Sequence, residues 1–328
     1  MKFKLSKLLL AGAVSLIVQA PVANASLSTF QSFNGTVGYS ADGFGGSSGG
    51  TISANVESGS TVLAAYLYST MVYGNSSTPT VSLNGTSAVF GPTISSTFPI
   101  KAYRADVTSI VAPIINGGLG GVYNFTVSEG VQNGATDGEA LVVVFSNAAR
   151  PNASVGILDG FSQFLGDSTA INFLDPLDPS APGFFAEMSL GIGYSYPSQS
   201  STVTVNGTLI TSVAGGFDDG GGFNGGLITV GGFNDPFSTL NPAYNDDHER
   251  YNLVPYISSG DTSITIATRN ATQDDNVFLA TFYVAGDAGF NAPPPPPPPT
   301  NSVPEPGTAL LLGSGLVGLT FMRRKFKA

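Results

Sequence analysis

Apolar and polar residues alternate in short runs through the middle of the chain, between residues 26 and 291. In the segment Ser263-Ile264-Thr265-Ile266 the apolar side chains recur at every second position, which is the period of a strand with one buried face. Similar runs predict strands at 61–68, 121–127, 141–145, 262–268 and 276–284. Because no segment here has a 3.6-residue apolar stripe of helix length, the pattern predicts an all-β body.

Turn-forming pairs are as frequent as the strand-like runs. Asn-Gly and Asp-Gly pairs adopt positive φ angles at low cost and predict tight turns. They begin at Asn34, Asn84, Asn116, Asn133, Asn206 and Asn224, and at Asp42, Asp137, Asp159 and Asp219. Short strands, frequent turns and no intervening helix favour antiparallel sandwiches or jelly rolls.

One predicted hairpin occurs twice. The segment Thr-Val-Ser-Leu-Asn-Gly-Thr at 80–86 reappears as Thr-Val-Thr-Val-Asn-Gly-Thr at 202–208, and similar flanking features follow in the same order. This repeat predicts two tandem antiparallel β-sandwiches of jelly-roll-like form, at 26–150 and 151–290, each large enough for one core. Chance similarity between two β-rich segments is the alternative.

Composition and charge exclude several classes of protein. The 328 residues contain no Cys and one His, His248, which excludes a disulfide framework, a cysteine-based zinc site and a site with several histidines. Between residues 26 and 300 there are five Lys or Arg and 21 Asp or Glu, a formal charge of −16. Nucleic acid is excluded as a partner because phosphate binding needs a basic surface.

The N-terminal segment has the three parts of a secretory signal. Lys2, Lys4 and Lys7 precede an uncharged run at 8–18, and the sequence Ala23-Asn24-Ala25 matches the small-residue cleavage rule. Residues 1–25 are therefore predicted to be a signal peptide that signal peptidase removes after Ala25. An uncleaved anchor is the alternative, although the apolar run is short for spanning a bilayer.

The C-terminal segment begins with a spacer. Seven consecutive prolines lie at 293–299, inside a Pro-rich linker predicted at 291–302. The sequence then gives Val303, Pro304, Glu305 and Pro306, an uncharged run at 307–322, and the basic residues Arg323, Arg324 and Lys325. The uncharged run would make a helix of roughly 24 Å, enough for a short transmembrane helix whose basic end stays in the cytoplasm.

This order of motif, apolar helix and basic end resembles the PEP-CTERM sorting signal of Gram-negative bacteria, here at 303–328. The resemblance implies an inner-membrane intermediate, recognition by an exosortase, and release or transfer to the cell surface or exopolysaccharide matrix. A permanent anchor with an accidental Pro-Glu-Pro is the alternative. The body also resembles an uncharacterised group of exported bacterial β-sandwich proteins that often carry this tail, which implies a fold but no activity.

Acidic residues near the only histidine are candidate metal ligands. Carboxylates on loops are the ligands that calcium prefers, and exported proteins meet millimolar calcium. The candidates are Asp218, Asp219, Asp246, Asp247, Glu249, Asp274 and Asp275. Their spacing does not match an EF-hand, and the alternative is that they cap turns. Arg104 with Asp106, and Arg250 with Asp247 or Glu249, are predicted to form ion pairs that fix a segment at the end of each sandwich.

Catalytic motifs receive little support. The G-x-S-x-G match at 46–50 lacks a preceding strand and a following helix, and Gly166-Asp167-Ser168 lacks its companion Asp-x-x-His. The sequence predicts no enzyme, but an exported surface or matrix protein with a structural or adhesive role and exopolysaccharide as a candidate partner. The alternative is a calcium-dependent carbohydrate-binding module that uses Tyr194, Tyr196, Tyr244 and Tyr251. A polysaccharide hydrolase comes third, because it needs only two carboxylates.

Overall fold

The computed structural model describes residues 26–46, 48–71, 78–91, 93–95, 100–130, 136–195, 201–216, 218–220, 226–272 and 276–293. These residues form antiparallel strands with very little helix, which confirms the predicted all-β class. Among them no helix has the length and apolar character needed to cross a membrane. The predicted signal peptide and C-terminal helix lie outside the described residues.

The strands alternate with short turns along both halves of the chain. The first half contains β1 (Ser28–Gly35), β2 (Val37–Phe44), β3 (Gly49–Val56), β4 (Thr61–Met71), β5 (Val81–Leu83), β6 (Thr86–Ser87), β7 (Ile94–Ser95), β8 (Lys101–Asp106), α1 (Thr108–Ile115), β9 (Gly121–Glu129) and β10 (Thr136–Ser146). The second half contains β11 (Ala153–Asp159), β12 (Asp167–Phe173), β13 (Ala186–Gly193), β14 (Ser201–Val205), β15 (Thr208–Ala214), β16 (Thr229–Val230), β17 (Arg250–Asn252), β18 (Ser263–Asn270), β19 (Asn276–Ala285) and β20 (Ala288–Phe290), with 3-10 helices at Tyr244–Asp246 and Val254–Tyr256. The predicted strands at 61–68, 121–127, 141–145, 262–268 and 276–284 correspond to β4, β9, β10, β18 and β19.

Four sheets are formed by these strands. The first outer sheet has the order β3-β9-β5-β6, and the first inner sheet has the order β2-β10-β4-β8-β7. The second inner sheet has the order β1-β11-β19-β13-β16, with β17 paired to β13. The second outer sheet has the order β15-β14-β18-β12-β20.

Three hydrophobic cores stack the sheets in four layers. The first core joins the first outer and inner sheets through residues such as Ile52 and Leu141. The second core lies between the two inner sheets, where Val142 and Val155 are buried, and the third core joins the second inner and outer sheets. Both faces of each inner sheet are therefore covered, which explains why β10 and β19 are almost continuously buried. We call the contact between the inner sheets the seam.

The two halves repeat one strand order. The order β2-β10-β4-β8 recurs as β11-β19-β13-β17, and β3-β9-β5-β6 recurs as β12-β18-β14-β15. The repeated hairpins turn alike, with φ of 49° at Asn84 and 48° at Asn206. In each hairpin the asparagine Oδ1 accepts the backbone N–H of the neighbouring strand, from Thr126 at 2.7 Å and from Thr265 at 2.9 Å. The repeat seen in the sequence is thus a repeat of structure.

The first strand departs from the order of the chain. Although β1 lies in the range predicted for the first sandwich, it pairs with β11 from Ser28 opposite Asp159 to Gly35 opposite Ala153. The N-terminal strand therefore extends the second inner sheet and connects the two halves. The domain boundary at residue 150, between β10 and β11, stays a prediction.

The helix α1 corrects the expectation that the body contains no helix. Asp106 Oδ1 accepts the backbone N–H of Thr108 at 2.9 Å and so satisfies one of the free amides at its start. Val111 and Ile115, four positions apart, are buried in the first core. A helix of eight residues has only these two fully buried apolar positions. Two positions are too few for a 3.6-residue repeat to be recognised in the sequence.

Candidate functional site

The predicted calcium ligand Asp247 is a buried hydrogen-bond acceptor. Its Oδ1 accepts from Ser238 Oγ at 2.9 Å and from the Tyr251 hydroxyl at 2.8 Å, and its Oδ2 accepts from Thr211. Both carboxylate oxygens therefore already have protein donors. Tyr251, one of the four tyrosines offered for stacking on sugars, is buried in the third core and cannot do so.

Glu249 is also buried and satisfied within the protein. Its Oε1 accepts the backbone N–H groups of Gly215 at 2.7 Å and Gly216 at 3.0 Å, and its Oε2 accepts from the Thr229 hydroxyl. Burial, and then the charge of Asp247, raise the pKa of Glu249 well above its ordinary value. This side chain fastens the segment after β15 to the start of β17.

Of the other candidate ligands, Asp218 and Asp219 have separate partners. Asp246 is exposed, Asp218 faces His248 with 2.9 Å between Oδ2 and Nδ1, and Asp219 accepts the Val230 N–H at 2.6 Å. Asp274 and Asp275 lie outside the described residues. Within the part of the chain that the structure describes, no group of three His, Cys, Asp or Glu is arranged to hold a metal ion. The calcium site stays a prediction.

Two acids that the sequence assigned to turns lie inside strands of the first inner sheet. Asp137, in β10, accepts the backbone N–H groups of Tyr194 and of Leu227, the latter at 3.1 Å. Burial raises its pKa to about 6. Asp42, in β2, accepts the Ser53 N–H at 2.5 Å, and burial is the main cause that raises its pKa to about 7.

The glycines after these acids permit close packing and do not form turns. A Cβ atom at Gly43 would lie 2.2 Å from Asp219 Oδ2, and one at Gly138 would lie 2.3 Å from Ile228 Cγ2. The second half of the chain therefore approaches the first inner sheet where only glycine leaves room. The turns predicted from the Asp-Gly pairs at 42 and 137 were therefore wrong. Glycine suits both a tight turn and a close approach of neighbouring chain segments, so the pair alone does not distinguish the two.

A buried pair of glutamates lies inside the end of the first sheet pair. Glu139 Oε1 accepts from Ser69 Oγ at 3.0 Å, whereas Glu139 Oε2 and Glu129 Oε1 have no donor among protein groups. Burial is the main cause that raises the pKa of Glu129 to about 7. Burial and mutual repulsion raise the pKa of Glu139.

The two arginines form ion pairs, but with other partners than those predicted. Arg104 pairs with Asp159 across the seam, and Arg250 Nη2 lies 3.1 Å from Glu187 Oε2. Asp106 instead accepts the amide at the start of α1. Asp247 and Glu249 are directed to the hydroxyl and amide donors described above. Sequence proximity predicted the wrong partners because strand pairing brings distant acids closer.

The predicted processing residues lie outside the described part of the chain: Ala25, Val303, Pro304, Glu305, Pro306, Arg323, Arg324 and Lys325. The family model of the PEP-CTERM protein-sorting motif matches residues 302–325, which covers most of this set. A comparison with curated proteins found no match.

Two solved structures match at low similarity. They are the crystal structures of BuGH86 wild type and of a variant of it, each in complex with neoagarooctaose. Both are 12% identical to this chain, cover 83% and 82% of it, and have TM-scores of 0.22 and 0.21. The chain spans 35% of the length of those structures.

The sorting motif follows a body that is all-β in structure. A motif of this kind implies export, processing by an exosortase and sorting to the cell surface. The protein therefore carries a PEP-CTERM protein-sorting motif at residues 302–325, behind an all-β body.

Proposed function

We propose that this protein is a non-enzymatic, exported component of the cell surface or extracellular matrix with a structural or adhesive role. The observation that carries the proposal is the sorting motif at 302–325, which a run of seven prolines separates from the body. In this proposal, signal peptidase cleaves after Ala25 and the helix at 307–322 holds an inner-membrane intermediate. An exosortase then processes the tail.

The body is proposed to be a rigid tandem of two jelly-roll sandwiches. Counting the eight strands shared by the halves, each inner sheet has the order 1-8-3-6 and each outer sheet the order 2-7-4-5. This order of two Greek keys supports the jelly-roll assignment. The second core packs the halves face to face, which suits a structural module better than independently moving domains would.

The hydrogen bonds that the buried acids make within the protein support a non-enzymatic role. Asp137, Asp247 and Glu249 each accept two or more hydrogen bonds from the protein. The raised pKa values of Asp137 and Glu249 therefore arise from structural burial. Perturbed carboxyl groups also occur in catalytic sites, but there they face a substrate.

The sorting step is tested by Glu305→Ala in the full chain, produced in a Gram-negative host that has an exosortase. Membrane, surface and matrix fractions are compared by immunoblot, with the exposed body residue Glu57→Ala as the control. We expect the Glu305→Ala protein to remain in the membrane fraction at higher mass, while Glu57→Ala matures normally. Normal maturation of Glu305→Ala would contradict the sorting role, and mature wild-type protein outside the surface and matrix fractions would contradict the structural role.

A further inference from the structure

A shallow groove of about 680 Å³ lies on the second half of the body. It is bounded by the β14–β15 hairpin, the 3-10 helix Val254–Tyr256 and the start of β18. The polar residues and the one aromatic residue that line it are Asn206, Thr208, Tyr256, Ser258, Asp261 and Ser263.

The frame of the groove is fixed by hydrogen bonds. Asn206 Nδ2 donates to the Tyr256 carbonyl at 2.8 Å, while its Oδ1 accepts the Thr265 N–H at 2.9 Å. Asp261 Oδ2 accepts the Ser258 N–H at 2.8 Å, and the Tyr256 ring packs partly against the third core. The groove is therefore formed before any ligand arrives, which lowers the entropy cost of binding.

The groove offers hydroxyl groups and carries little charge. Thr208, Ser258 and Ser263 are exposed, and Tyr256 is partly exposed. Each hydroxyl both donates and accepts, as the hydroxyls of a sugar do, and a tyrosine ring supplies an apolar face with a polar end. Asp261 is the one charged residue among those lining the groove, and no cation lines it. An anionic polymer would meet a carboxylate here on a body of formal charge −16.

A second depression of about 700 Å³, with both polar and apolar lining residues, includes Thr262, which directly precedes β18. Asn172, Thr262 and Asn291 contribute to its lining, and Asn172 lies opposite Ser263 in the pairing of β12 with β18. The two depressions therefore both reach the start of β18. Together they suit an extended polymer better than a single sugar unit.

We propose that this surface binds an uncharged polysaccharide, with Tyr256 stacking on a sugar ring and Thr208 and Ser263 bonding its hydroxyls. The inference rests on the proposed matrix role, because the matrix would supply the polymer. The first half gives a built-in comparison. Its equivalent hairpin residue is Thr86, and the helix α1 stands there in place of the 3-10 helix.

The test is affinity electrophoresis of the full chain in gels containing one polymer at a time. The probes are hydroxyethyl cellulose, dextran, the neutral exopolysaccharide fraction of the host, and alginate as an anionic polymer. The variants are Tyr256→Ala and the double variant Thr208→Val with Ser263→Ala, and the matched control is Thr86→Val. The double variant changes only exposed side chains, so it stays informative if Tyr256→Ala disturbs the third core.

We expect retardation by at least one neutral polymer and none by alginate. Both groove variants should weaken binding by about tenfold or more, while Thr86→Val binds like wild type. Absence of retardation by every neutral polymer, equal binding by the double variant, or stronger binding to alginate would overturn the inference. If the protein still reaches the matrix in the fractionation above, the proposed function survives that failure. Failure to reach the matrix would contradict the proposed function itself.

Discussion

Arg104 of the first inner sheet pairs with Asp159 of the second inner sheet, directly across the seam. Asp159 also accepts the Tyr68 hydroxyl at 3.0 Å. The guanidinium of Arg104 lies 3.3 Å from the centroid of the Phe30 ring, so a cation–π contact supports the same geometry. The pair therefore joins strands of both halves at one point.

Removing this arginine should loosen the seam. Arg104→Ala leaves the Asp159 carboxylate, whose side chain is 10% exposed, without its cation. Breaking a buried pair in this way costs about 3–5 kcal/mol, and the 27% exposure of the Arg104 side chain reduces that to about 2 kcal/mol. Urea unfolding of the variant measures the loss. The exposed Arg269→Ala is the control, and equal midpoints for both variants would contradict a role for Arg104 in the seam.

The seam also depends on Asp137. Asp137→Ala removes the acceptor of the Tyr194 and Leu227 amides, and each unsatisfied buried amide costs about 1–3 kcal/mol. We expect a lower melting temperature and faster hydrogen exchange at those two amides. The control is Asp178→Ala, because Asp178 is exposed and its side chain accepts from the nearby Ser180 on the same loop. Unchanged exchange at Tyr194 and Leu227 would show that Asp137 does not hold the halves together.

Sequence reasoning succeeded where local pattern decides structure. The alternation at 263–266 predicted β18, and the Asn-Gly pairs at 84 and 206 predicted two equivalent hairpins. It failed where a contact spans the chain, since β1 pairs with β11 more than a hundred residues away. The same limit hid the partner of Arg104 and the role of Asp137, because no local pattern encodes which strands become neighbours across the seam.

The duplicated hairpins allow one copy to serve as the control for the other. Asn84→Ala removes one side-chain acceptor, for Thr126. Asn206→Ala removes the matching acceptor for Thr265 and also the donor to the Tyr256 carbonyl. Both variants should be destabilised by strain at positive φ, and Asn206→Ala should lose about 1 kcal/mol more. Equal unfolding midpoints for the two variants would contradict a role for the Asn206–Tyr256 bond.

The buried acids predict that stability falls as pH rises. Burial raises the pKa of Asp137 to about 6 and of Asp42 to about 7, whereas unfolded aspartate titrates near 4. Between roughly pH 4 and pH 7 the folded protein therefore holds protons that the unfolded chain has released. Stability from these groups is full below that window and is lost as pH rises through it. The melting temperature should accordingly be higher at pH 5 than at pH 8.

Glu129 and Glu139 contribute to the same fall in stability with rising pH, and a single substitution can separate their contribution from that of the aspartates. Glu139→Gln removes one of the two ionisable groups and leaves a neutral amide near Glu129. Between pH 5 and pH 8 the melting temperature of the variant should fall less than that of the wild type. The reason is that position 139 can no longer acquire a negative charge that Glu129 repels. Glu57→Gln, at an exposed carboxylate, should follow the wild-type profile. Parallel profiles for Glu139→Gln and wild type would contradict a raised pKa of Glu139 in the folded protein.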